Sequence, residues 1–232
     1  MYIFDKPYEY FEHPWPHIVI KPFLPKQFAD YMRDNFPLPG PSKKEQQHNR
    51  WAGDYWDDKV FAEFSRVNEN RQDDIYTFLD KAFNDAGDVY GWTPFQYRNE
   101  PAVENPIELR DYHVDLPDKK YHIMMYLGEG DRGELEMINY NTGQHKSFPY
   151  EHNRLIAWRN DDFTHHKWWS STSRRFTISL GIEYYENALK NLWLYEDNVT
   201  KKQYYRAHRT ETKARNYANE VNATIIREPY KK

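Results

Sequence analysis

The chain has no cysteine. That absence removes disulfides, thiolate zinc sites, iron–sulfur clusters and cysteine nucleophiles together, so any metal must be held by histidine and carboxylate. Positive charge is not in excess either: the formal net charge is −4, which gives no global field to draw the protein to nucleic acid or anionic lipid. Nowhere do about 18 apolar residues follow one another, and the opening MYIFDKPYEYFEHPWPH lacks a basic segment followed by an apolar run. These absences predict a soluble, intracellular protein without a membrane partner. Aliphatic residues are few and the mean hydropathy is −1.06. Aromatics, at 18% of residues with 20 Tyr and 8 Trp, compensate by supplying large buried surfaces with polar handles.

A length of 232 residues suits one sizeable domain. Residues 1–94 read as an N-terminal strand and helices supporting a core. HIVIKPF is a strand bounded by Pro16 and Pro25, and Phe28, Tyr31, Met32 and Phe36 then recur at helical spacing. The segment through Trp51, Tyr55 and Trp56 reads as an ordered excursion over the core. Ile75, Phe78, Leu79, Ala82 and Phe83 form the apolar stripe of a second helix, with Gly87 as its stop. Across residues 95–186 the period shortens toward two, in the runs FQYR, IELRDYHVD, YHIMMYL, GELEMIN, HKSFPY, RLIAW, HHKWW and RRFTISLGIEYY. Short strands separated by turns predict a closed or double-sheet β architecture. Residues 187–232 return to helical composition, with a stripe of Ala214, Tyr217, Ala218, Val221 and Ile225, and read as a C-terminal helical tail.

Within the β region, His113 and Asp115 form a His-x-Asp pair whose side chains leave one face of a strand and can grip one cation together. Far downstream come His166 and then Arg175, which opens the run RFTISLGIEYY. Two histidines and one carboxylate occupy three positions of an octahedron and leave three open, a set that suits Fe(II) and dioxygen chemistry. Arg175 and Thr177 alternate onto one face, so a guanidinium fork and a hydroxyl can both reach a carboxylate. His166 is preferred to His165 because it alternates with Trp168. Arg175 is preferred to Arg174 because Phe176, Ile178, Leu180 and Ile182 then share the opposite, apolar face. His122 and Met124 alternate with Tyr126, and His122 reads as a buried, hydrogen-bonded histidine and not as a ligand.

The succession HVD, MMYL, GELEM, FPYEHNRLIAW, THHKW and RRFTISL resembles the Fe(II)/2-oxoglutarate oxygenases, in particular their prolyl-4-hydroxylase-like branch. The resemblance covers roughly residues 107–185, with a weaker echo in HIVIKPFLPKQFADYM. It implies a mainly β chain with flanking helices (α+β) around a double-stranded β-helix, or jelly-roll, core. It implies Fe(II) as metal and 2-oxoglutarate and O2 as cosubstrates. Carried over, His113, Asp115 and His166 match the iron ligands, Arg175 matches the partner of the cosubstrate's distal carboxylate, and Tyr126 matches a position that adds a hydroxyl to that carboxylate. The expected activity is hydroxylation of a peptidyl proline, another protein side chain or a small molecule. Nucleic-acid demethylases of the superfamily carry a second arginine where this chain has Gly181, which disfavours that substrate class. The alternative is a cupin-like metal-binding jelly roll without 2-oxoglutarate turnover. Between the two, the oxygenase reading expects the Arg175 charge to be directed at a cosubstrate and not into a structural ion pair.

Overall fold

The structure is a computed structural model that describes residues 2–36, 50–52, 58–85, 90–92, 95–108, 111–115, 119–161, 163–184, 192–199, 201, 203–207, 211–220 and 222–227. In chain order the elements are β1 (Glu9–Phe11), β2 (His17–Ile20), α1 (Lys26–Asp34), β3 (Arg50–Ala52), α2 (Lys59–Glu69), α3 (Gln72–Phe83), β4 (Tyr90–Trp92), β5 (Gln96–Glu100), β6 (Lys119–Tyr126), β7 (Leu135–Asn139), β8 (Gln144–Phe148), β9 (Arg154–Arg159), β10 (His165–Trp168), β11 (Arg175–Tyr184), β12 (Leu192–Asp197), β13 (Gln203–Ala207), α4 (Glu211–Glu220) and β14 (Ala223–Arg227). They fall into two compact units, residues 1–87 with 94–181 and residues 88–93 with 182–232, where the sequence reads one domain.

In the first unit the large sheet has the order β1-β2-β9-β6-β11-β5-β3, and a second sheet has the order β10-β7-β8. An isolated antiparallel bridge between His113 and His166 extends the second sheet beyond β10. The pairings show how the chain winds. Strand β5 pairs with β11, the His113 segment with β10, β6 with β9, and β7 with β8, all antiparallel. The β5-to-β7 half of this chain thus runs against the β8-to-β11 half as one long hairpin with β7 and β8 at its tip, while successive strands within each half step between the two sheets. A hairpin coiled in this way is a double-stranded β-helix. The sheets' inner faces must be apolar for this to hold together, and the core joins Trp15, Met124, Tyr126, Leu135, Met137, Phe148, Tyr150, Ile156 and Trp158 from both.

The helices of this unit differ from expectation in two places. α2 was not legible as a helix; Asp58 starts it by accepting the Val60 and Phe61 N–H groups, which satisfies two orphan donors of its first turn. α3 buries Ile75, Leu79 and Phe83 as its stripe demands, but it stops at Asn84, whose left-handed backbone (φ 51°) caps it before Gly87 is reached. Among the described residues of the run IELRDYHVD, Glu108 and His113 form isolated bridges.

The second unit corrects the helical reading of the tail. Its described residues form a three-stranded sheet, β13-β12-β14, with the single helix α4, and β4 pairs with the last residues of β11. Trp193 and Tyr195 are buried with Ala218 and Ala223. The period-two spacing of Trp193 and Tyr195 places both on one face of β12, and Ile225 lies in β14 and not on a helical stripe. Tyr217 and Ala214 do fall in α4. Among the described residues no helix is long and apolar enough to cross a membrane.

Candidate metal centre and carboxylate clamp

The His113–His166 bridge joins the two segments that carry the imidazoles. His113 N–H donates to the His166 carbonyl (3.1 Å) and His166 N–H to the His113 carbonyl (2.9 Å), so backbone pairing holds the two rings with centroids 4.5 Å apart. Asp115, two residues on, brings its carboxylate to the same place. One ligand atom from each of His113, Asp115 and His166 lies within 4.8 Å of the others, and His166 Nε2 is 3.9 Å from Asp115 Oδ2. Parity decides which neighbour takes part: His166 is buried, whereas His165 turns to the other side, against the Tyr140 ring at 4.8 Å.

The donor set fits a divalent metal. His113 Nδ1 lies 3.0 Å from the Asp111 carbonyl and His166 Nδ1 lies 3.1 Å from the Thr164 carbonyl. A carbonyl only accepts, so each Nδ1 carries a proton, which leaves Nε2 as the nitrogen that can ligate a metal. Burial pushes the His166 imidazole down to about 3, against the opposing pull of Asp115, so it stays neutral. Burial alone would raise the Asp115 carboxyl, but the hydrogen bond from His122 and the Lys119 ammonium hold it well below the usual carboxylate range. His166 and Asp115 thus already stand in the protonation states that a metal requires. Asp115 has two further partners: Lys119 Nζ at 3.4 Å from Oδ1, and His122 Nδ1 in hydrogen-bond contact with Oδ2.

Arg175 is completely buried at the start of β11, against Met124 and Tyr126 of β6. Register places it opposite Glu100 on β5, and Thr177 opposite Arg98. Arg175 Nη1 lies 2.8 Å from Glu100 Oε2, and Nε donates to the Gly133 carbonyl at 3.2 Å. Gly133 adopts φ +83°, a conformation strained for any side chain, and an added Cβ would stand 3.0 Å from both Ser171 and Tyr150. Its glycine is thus what lets this carbonyl approach the guanidinium. Nη2 faces Met124 Sδ at 4.0 Å, and the guanidinium carbon is 5.4 Å from the Tyr126 ring centroid. The buried hydroxyls of Tyr126 and Thr177 make no geometrically sound hydrogen bond. Burial raises the Tyr126 phenol, and Arg175 counters it only in part. Arg174 is exposed and reaches Asn99 at 3.2 Å instead.

The structure thus brings His113, Asp115 and His166 together, sets Arg175 beside Tyr126, and buries Thr177 two residues along β11 from Arg175. It departs from expectation at Arg175, whose charge meets a partner inside the protein. A fully buried guanidinium cannot stand without a counter-charge, and the cross-strand position of Glu100 supplies one. Glu100 had no signal in the sequence, because the register of β5 against β11 is not written in either strand alone. A buried His122 matches expectation, but its bond to Asp115 was not legible. In the segment read as an excursion over the core, Tyr55 and Trp56 lie outside the described residues.

No protein-family model matches the chain, and no curated protein matches its sequence. Solved structures similar to it include a viral collagen prolyl hydroxylase from Paramecium bursaria Chlorella virus-1, at 14% identity and TM-score 0.49 over 72% of this chain and 89% of that one. A prolyl-4-hydroxylase from Pseudomonas putida aligns at 13% identity and TM-score 0.49 over 73% and 85%. A prolyl hydroxylase from Trichoplax adhaerens, solved with a peptide fragment of hypoxia-inducible factor, aligns at 14% and 0.49 over 72% and 83%. At such identities and scores, the functional reading rests on the residues described above.

Proposed function

We propose that the protein is a non-haem Fe(II)- and 2-oxoglutarate-dependent dioxygenase that hydroxylates its substrate. The observation that carries the reading is that one strand, β6, contacts both groups: His122 meets Asp115 of the His113–Asp115–His166 cluster, and Tyr126 meets the buried Arg175. When bound, Fe(II) with 2-oxoglutarate and O2 supplies oxidative decarboxylation to succinate and CO2, with the second oxygen atom entering a substrate C–H bond.

The chain's own part is binding, orientation and exclusion of water. His113 and His166 would hold the metal through Nε2 and Asp115 through a carboxylate oxygen, a three-ligand set that would leave room for cosubstrates. Arg175 retains Nη2 for a distal carboxylate, while Tyr126 and Thr177 each carry a buried hydroxyl able to donate to it. Trp158 and Met124, from the apolar core, wall the interior and keep it dry. The motif order favours a peptidyl proline or another protein side chain as substrate, and Gly181 weighs against nucleic acid.

The Glu100–Arg175 ion pair favours a second reading, a jelly roll that binds metal without consuming an oxoacid. Succinate release separates the two. Anaerobically purified protein, reconstituted with Fe(II) and given O2, 2-oxoglutarate and a panel of proline-containing peptides, is expected to form succinate that is lost in His113→Ala and Asp115→Ala. Retention of metal with no succinate above the level of these variants selects the second reading.

A further inference from the structure

His122 is buried on β6 and parallel-stacked on the Trp158 indole, with ring centroids 4.6 Å apart and planes at 6°. Its polar connection is to Asp115: Nδ1 meets the carboxylate Oδ2, while Nε2 is buried with no hydrogen-bond partner. A histidine placed only to fill the core would be expected to satisfy both nitrogens or to be replaced by an apolar ring. An ionised carboxylate only accepts, so Nδ1 carries a proton and donates it to Oδ2. Lys119, the other donor to Asp115, approaches only to 3.4 Å and belongs to a flexible chain. His122 instead is rigid, since its plane is set by the stack on Trp158, which also touches His166 with ring centroids 5.0 Å apart.

We infer that His122 is the positioning residue of the metal centre. By clamping Oδ2, it fixes the rotation of the Asp115 carboxylate about its Cβ–Cγ bond, so that the ligand oxygen is held toward the two imidazoles before any metal arrives. Preorganisation of this kind acts on affinity, because a carboxylate free to rotate must be ordered at the moment of binding. Trp158 holds His122, His122 holds Asp115, and Asp115 holds the metal. The inference rests on the metal-centre reading given above, and its failure is distinguishable from the failure of that reading.

Two substitutions divide the packing of His122 from its hydrogen bond. His122→Phe keeps a flat ring on Trp158 and removes the donor. His122→Asn removes most of the ring but places an amide N–H near the position of Nδ1. The measurement is titration of the full chain with Co(II) under anaerobic conditions, read by d–d absorption, with a thermal melt of each variant to register folding. His122→Phe is expected to melt near the wild type yet to bind Co(II) about 10- to 100-fold more weakly. His122→Asn, even with a lowered melting temperature, is expected to bind within about threefold of the wild type. Wild-type affinity in His122→Phe overturns the inference, as does a loss in His122→Asn as large as that in His122→Phe, which would assign the effect to packing. If the wild type itself takes up no Co(II), the metal-centre reading falls, and the role of His122 with it.

Discussion

Glu100 and Arg175 stand directly opposite each other on adjacent antiparallel strands, with Oε2 2.8 Å from Nη1. The pair uses one edge of the guanidinium and leaves Nη2 toward Met124 and Tyr126. A dicarboxylate oxoacid reaching this group therefore meets a cation that already has one anionic partner. Repulsion between two carboxylates about 10 Å or less apart, in an effective dielectric of about 20, is on the order of 1.5 kcal/mol or more. Glu100→Gln is accordingly expected to tighten 2-oxoglutarate binding by about tenfold. Calorimetric titration of the Mn(II)-loaded protein checks this, and an unchanged or weakened affinity would contradict it.

Arg175→Ala should have the opposite effect. Removing a charge-assisted partner costs about 2–5 kcal/mol, which corresponds to roughly 30-fold or more in 2-oxoglutarate affinity. Metal affinity should stay near that of the wild type. Because the substitution also leaves Glu100 without its cation, it is expected to lower stability by about 3–5 kcal/mol, and the double variant Arg175→Ala/Glu100→Gln should recover much of that loss. Unchanged 2-oxoglutarate affinity in Arg175→Ala with a large loss in Arg174→Ala would show that the two arginines have been exchanged in their roles.

His166→Ala should abolish binding of Mn(II), observed by electron paramagnetic resonance, whereas His165→Ala should leave it largely intact. The two residues face opposite sides of β10, and His166 alone of the two contributes to the triad. Retention of metal by the His166 variant would reject the site.

Acid sensitivity should arise in part from His17. Burial, and secondarily the Lys146 ammonium, push its imidazole down to about 4, although the Trp15 carbonyl accepts a hydrogen bond from the ring. The unfolded chain, with an ordinary histidine near 6.5, then binds more protons than the native state between about pH 6.5 and 4. Stability is therefore full above that window and falls as pH drops through it, by at most about 3 kcal/mol for this group. His166 titrates in the same sense. His17→Asn should flatten part of the loss seen in urea unfolding between pH 7 and 4.5; a slope equal to that of the wild type would exclude His17 as a source.

Tyr150 ties the start of β11 to its surroundings. Its hydroxyl accepts from the Phe176 N–H at 2.7 Å and donates to the Arg174 carbonyl at 3.0 Å, on either side of Arg175. Tyr150→Phe strands both backbone groups and should cost about 1–3 kcal/mol in chemical denaturation, together with a weaker 2-oxoglutarate affinity. An unaltered denaturation midpoint would show that the two groups find other partners.

Much of the site was legible because a strand writes its faces into the sequence with period two. That parity alone separates His166 from His165 and Arg175 from Arg174, and puts His113 with Asp115. The stripe of α3 was equally plain, since Ile75, Leu79 and Phe83 recur at helical spacing. α2 was not, because its start depends on the Asp58 cap more than on a wide apolar stripe. In the tail, the alternation of Trp193 and Tyr195 is too short to outweigh a charged, helix-like composition.

The sequence by itself determined which side chains lie on one face and which chemistry a histidine–carboxylate set can hold, because both follow from local geometry and residue type. Only the tertiary structure decided which faces meet. The His113–His166 bridge, the opposition of Glu100 to Arg175 and the seating of His122 on Asp115 each join segments distant in the chain or separated by a turn. Their register is set by the summed pairing and burial of whole sheets, and a slip of one residue in any strand would turn every one of these groups away from its partner.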